Sequence, residues 1–117
     1  MNQNLKPISA WQSAFRTYCH ANHFDLEALQ ANYGAEGTIR RELRDQFLKE
    51  FDRIIAERSV SLEEFEVITG IDFDSESDLY SFVIEIRRFL FEGGSLDSVD
   101  RVYAETQGLD WPAEDAT

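Results

Sequence analysis

A chain of 117 residues is the size of one domain, and at 43% hydrophobic, with nine Phe, four Tyr and two Trp, it has the material for a packed core. A formal charge of −12 argues against a nucleic-acid partner, because phosphate binding needs a basic patch that releases counterions. One cysteine, Cys19, excludes an intramolecular disulfide, and neither a signal-peptide core nor a run of roughly 18 apolar residues is visible, so a cytoplasmic location without membrane contact is expected.

In chain order, Ser9 is placed to cap a helix expected to run to about Asn22, with Trp11, Ala14, Phe15, Tyr18 and Cys19 on one face and His20 turned away. FDLEALQANYG reads as a short helix capped by Asp25 and stopped at Gly34, contributing Leu26, Leu29 and Tyr33. From Thr38 to Arg58 the longest helix places Ile39, Leu43, Phe47, Phe51, Ile54 and Ile55 on one arc. Its far side carries Arg41, Asp45, Lys49, Arg53 and Glu57 at a spacing of four, so opposite charges can pair along a solvated face.

Ser61 and Glu64 form a capping box at the head of SLEEFEVITG, whose Leu62, Phe65 and Ile68 face inward before Gly70. IDFDSES is a turn, and Ile71 to Phe73 is the one place where a small hairpin would fit. The most apolar stretch follows, from Ser75 to Glu92, with Ser75 or Ser77 as its cap. At helical spacing Leu79, Phe82, Val83, Ile86, Phe89 and Leu90 share a face, while Ser77, Asp78, Ser81, Glu85, Arg88 and Glu92 lie opposite. A flank of Tyr80, Ile84, Arg87 and Phe91 widens the apolar arc beyond what one neighbour can cover, which makes this the expected central helix. Gly93 and Gly94 end it, Ser95 caps a last helix bearing Leu96, Val99, Val102 and Tyr103, and Gly108 closes that. The expected fold is an all-α, single-domain bundle of six helices over residues 1–108, with 109–117 a flexible acidic tail that Trp111 pins back at its start.

Charge is distributed unevenly. Residues 1–58 are balanced, and residues 59–117 carry the whole −12, with fifteen acidic residues against Arg87, Arg88 and Arg101. Glu63, Glu64, Glu66, Asp72, Asp74, Glu76 and Asp78 fall close together, and Asp97 and Asp100 follow. Cys19, His20 and His23 contain the only soft-metal ligands, too few for a tetrahedral site without carboxylates, so no metal or cofactor is expected. The alternation of Asp72, Asp74, Glu76 and Asp78 resembles a calcium loop, but Ser77 stands where the glycine belongs and Val83 where the bidentate glutamate belongs. The serines at Ser9, Ser61, Ser75 and Ser95 are explained as helix caps, and no nucleophile with a base or glycine-rich phosphate loop is present, so the expectation is a protein that is not an enzyme.

The expected binding surface is therefore the acidic belt of Glu63, Glu64, Glu66, Asp72, Asp74, Glu76 and Asp78, with Tyr80, Ile84 and Phe91 as apolar anchors for a basic protein. In small size, helical build and a concentrated acidic half, the chain resembles the small acidic bacterial toxin-immunity proteins. That resemblance implies tight binding to a basic toxin domain, often a nuclease, whose nucleic-acid surface the acidic groups occupy. Two other readings fit the same features: a nucleic-acid mimic that inhibits a DNA-binding enzyme, and an adaptor subunit of a larger assembly. Arg40, Arg41 and Arg44 form a small basic cluster that either belongs to a salt-laced helix face or meets the acidic region of a second copy.

Overall fold

Helix signals at the sequence level translate into six helices and one minimal strand pair in a computed structural model that describes residues 9–109. The helices are α1 (Ala10–Tyr18), α2 (Leu26–Tyr33), α3 (Arg41–Glu57), α4 (Leu62–Thr69), α5 (Glu76–Phe91) and α6 (Leu96–Thr106). Strands β1 (Cys19–His20) and β2 (His23–Phe24) lie between α1 and α2. The described residues thus form an all-α bundle. Residues 110–117 of the expected tail, Trp111 among them, lie outside the described residues.

Five of the helices start where an oxygen-bearing side chain can satisfy a free backbone N–H. Ser9, Asp25, Ser61, Ser75 and Ser95 accept from Gln12, Ala28, Glu64, Asp78 and Ser98 respectively, at 3.0 to 3.1 Å. At Ser61 the box is closed by Glu64, whose Oε1 accepts the Ser61 N–H at 3.0 Å. Helix α3 begins at Arg41, later than the Thr38 expected from sequence, because the N–H groups of Thr38 and Ile39 donate back to the carbonyls of Ala31 and Asn32 at the end of α2.

Burial on α5 is as wide as its pattern requires. Leu79, Tyr80, Phe82, Val83, Ile86, Phe89 and Leu90 are all buried, and α2, α3 and α6 pack around the helix. A second hub is α1, which packs on α2, α3 and α4. Trp11 stacks on Phe15 with ring centroids 4.3 Å apart, and both rings meet Phe51 of α3 and Phe65 of α4. Phe65 continues the aromatic contacts to Phe73 and to Phe82 of α5, and Phe82 reaches Tyr103 of α6. The Trp11 backbone N–H donates to Glu50 of α3 at 2.8 Å, so a distant carboxylate fixes the first turn of α1 against its neighbour.

One element differs in kind from the sequence expectation. Helix α1 stops at Tyr18 rather than near Asn22, and Cys19 and His20 turn out to pair antiparallel with Phe24 and His23. The hairpin is held from outside by the Ala21 N–H, which donates to the Thr69 carbonyl at 2.7 Å, and from within by the Asn22 N–H, which donates to Nδ1 of His20 at 3.0 Å. Gly70 makes room for this docking. It has φ +76°, and a Cβ there would stand 3.2 Å from Cε1 of the His20 ring. At Ile71 to Phe73, where the hairpin was expected, both apolar side chains are buried but the backbone joins no strand. The Ile71 N–H is satisfied instead by the hydroxyl of buried Thr69, at 3.1 Å.

Tyr80 joins α5 to the turn before α4. Its hydroxyl donates to the Val60 carbonyl at 2.9 Å and accepts the Val60 N–H at 3.0 Å. Arg58, in the left-handed conformation that ends α3, places its guanidinium 5.2 Å from the centre of the Tyr80 ring. Removing the hydroxyl leaves both Val60 groups without that partner, so Tyr80→Phe should destabilise the fold by about 1–3 kcal/mol in urea denaturation with an unchanged m-value.

Candidate functional site

The acidic belt is assembled by three consecutive pieces of chain: α4, the irregular segment after it, and the first turn of α5. Glu63, Glu64 and Glu66 are exposed on α4, Asp72 and Asp74 are exposed in the connecting segment, Glu76 is exposed at the start of α5, and Asp78 is half-buried beside it. The exposure of Asp72 and Asp74 follows from alternation, since Ile71 and Phe73 between them are drawn into the core.

These carboxylates are not equivalent. Glu64 serves the capping box, and Glu76 lies 3.8 Å from Arg58. Glu63, Glu66, Asp72, Asp74 and Asp78 have no ion-pair partner among the described residues. Glu63 and Glu64 in the first turn of α4, and Glu76 and Asp78 in that of α5, also offset the positive ends of their helices. Asp72 and Asp74 line a cleft of about 260 Å³ between the β1–β2 turn, the segment after α4 and α6, which Tyr103, Thr106 and Gln107 close from the α6 side. Gln107 fixes this cleft by donating from Nε2 to the Asp72 carbonyl at 3.0 Å.

The expected apolar anchors do not form an exposed patch with the belt. Tyr80 is 1% exposed and both sides of its hydroxyl are engaged, so it presents nothing to a partner and the expectation that it is an anchor is corrected. Ile84 is half-buried in a shallow groove between α3 and α5 with Ile55 and Arg87. Phe91 is half-buried under Arg87, whose guanidinium lies 5.8 Å from its ring centre. Fifteen residues of helix separate Phe91 from Glu76, about 22 Å at 1.5 Å per residue, so Phe91 does not share a contact patch with the belt. Arg87 is itself engaged by Asp52 at 2.6 Å and by Glu92.

The remaining sequence candidates are placed as follows. Cys19 is fully buried, and that burial drives its thiol pKa far upward, so the thiolate is scarce at neutral pH. His20 is half-buried, with Nδ1 accepting from the Asn22 N–H. Among the described residues no group of three or more His, Cys, Asp or Glu side chains is arranged to hold a metal ion. Arg44 donates to the Gly37 carbonyl at 3.1 Å and Arg41 approaches Asp45 at 4.0 Å, which places two of the three clustered arginines in contacts within the chain. No helix among the described residues is long and apolar enough to cross a membrane.

One surface residue escaped the sequence reading. Val67 projects from α4 off the arc formed by Leu62, Phe65 and Ile68, and is 75% exposed. The available signal was its helical position, since an apolar residue outside the apolar arc of a short helix has no place in the core.

Comparison with protein-family models, with curated proteins and with solved structures finds no match for this chain.

On α6, half-buried Asp100 has its carboxyl pKa raised, first by burial and then by the neighbouring charge of Asp97. A raised carboxyl pKa means that ionisation opposes folding: the penalty is complete above the folded pKa and absent below the ordinary value of 3.8. Asp100→Asn should therefore raise the melting temperature slightly at neutral pH, and the gain over wild type should vanish as pH falls below that value.

Proposed function

We propose that this chain is a non-catalytic protein-binding module whose acidic belt, from α4 to the first turn of α5, receives a basic protein domain. The observation that carries the reading is that Glu63, Glu66, Asp72 and Asp74 are exposed, lie within twelve residues of chain, and have no cationic partner among the described residues. Uncompensated charge of one sign raises the local potential and steers a partner of opposite sign, with association slowed by salt. Within this reading the most specific role is neutralisation of a basic toxin domain, such as a nuclease, in the manner of bacterial immunity proteins. The belt would occupy the surface that otherwise binds phosphate, without direct contact between this chain and nucleic acid.

The test is capture of partners from native cells by the tagged chain at low and high salt, followed by binding kinetics with the purified partner. A single basic protein is expected. Combined Asp72→Lys, Asp74→Lys and Glu76→Lys should slow association by about tenfold or more while circular dichroism and melting remain those of a folded bundle. Unchanged association, or a neutral multi-protein set that survives high salt, would overturn the proposal and favour an adaptor subunit.

A further inference from the structure

Val67 is the position on α4 that neither packing nor helix formation explains. Valine is a weaker helix former than most straight-chain residues, and this one leaves most of its side chain in water. A single exposed apolar side chain is ordinary on a protein surface. The setting of Val67 is less ordinary: with Ile68, Glu63, Glu64 and Gln12 of α1 it lines a groove of about 310 Å³. Buried Ile68 forms an apolar floor, Val67 stands on one bank, and Glu63 and Glu64 lie a turn away on the same helix. No Lys or Arg occurs on α4, and α1 adds only Arg16.

We infer that this groove docks a cationic amphipathic helix of a partner protein, with one aliphatic side chain seated on Val67 and Ile68 and its Lys or Arg side chains facing Glu63 and Glu64. The inference rests on the reading of the acidic belt as a landing surface for a basic protein, and it names where on that surface the apolar contact is made. Charge complementarity selects the occupant. A second copy of this chain, at −12, would bring like charge to the rim, as would nucleic acid. A purely polar polycation would leave Val67 uncovered. A helix with basic residues beside an aliphatic one satisfies both features, as in other helix-in-groove contacts.

The experiment is an NMR titration of the isotope-labelled full chain at low salt with two synthetic peptides of equal length and charge. One is a Lys/Leu peptide patterned as an amphipathic helix, and the other is a Lys/Ser control. The Lys/Leu peptide should bind about tenfold tighter, which is the effect of burying one aliphatic side chain, and should shift the amides of Gln12 and of Glu63 to Ile68. Val67→Asn, a change at an exposed position, should remove that advantage and leave the Lys/Ser affinity as it was. Equal affinities for the two peptides, an unaffected Val67→Asn, or shifts confined to Asp72 to Asp78 would overturn the groove. If both peptides bind equally and both are lost with the Asp72, Asp74 and Glu76 reversal, the groove fails while the acidic surface stands. If neither binds at low salt, both readings fall.

Discussion

Seven buried side chains on a single helix impose the constraint from which this structure follows. A lone neighbour covers one stripe, whereas α5 must be covered over an arc that includes Tyr80 and Phe82 together with Leu79, Val83 and Ile86. Helices α2, α3 and α6 supply most of that cover, and Phe65 and Phe73 complete it at Phe82. The cost falls on the segment between α4 and α5. To place Ile71 and Phe73 inside, its backbone gives up regular pairing, and Asp72 and Asp74, which alternate with them, are left facing water. The exposure of Asp72 and Asp74 is in this sense produced by the core, since two apolar residues point in and the two that alternate with them point out.

Five of the six helices were readable in the sequence from two independent signals, an apolar face at helical spacing and a side chain able to cap the first turn, whereas α3 carries only the apolar face. Where one signal was missing, the boundary moved. Arg40 precedes α3 without a side-chain cap bond, and the start of that helix shifted to Arg41. The β1–β2 pair was not readable at all, because two strands of two residues have no period, and the bond that holds their turn comes from Thr69, far along the chain. Only the tertiary arrangement brings α4's last carbonyl to Ala21.

The proposed binding surface was legible in its charges and not in its anchors. Acidic residues announce themselves because they are almost never buried unpaired, so their exposure follows from type alone. Tyr80 illustrates the opposite case. An aromatic ring with a hydroxyl on the flank of an amphipathic helix fits an interface and a hydrogen-bonded core position equally well, and the outcome turned on Val60, twenty residues earlier, whose backbone groups needed a partner. Phe91 shares the flank of Tyr80 in projection but not in space, because axial rise along α5 carries Phe91 to the far end of the helix. A helical wheel shows angle and hides distance.

The belt also has a structural account. Glu64 closes a capping box, Glu76 and Asp78 sit where a helix dipole favours negative charge, and Glu76 approaches Arg58. Those contributions belong to particular carboxylates and leave others without a role. Glu66 lies in the second half of α4, where the dipole offers an anion nothing, and Asp72 and Asp74 precede the α5 cap altogether. Local helix physics accounts for four acidic residues, Glu63, Glu64, Glu76 and Asp78, yet exposed Glu66, Asp72 and Asp74 add like charge that raises repulsion within the folded chain. Charge that helix formation does not require, next to a valine that the core does not require, is what the proposed partner would account for.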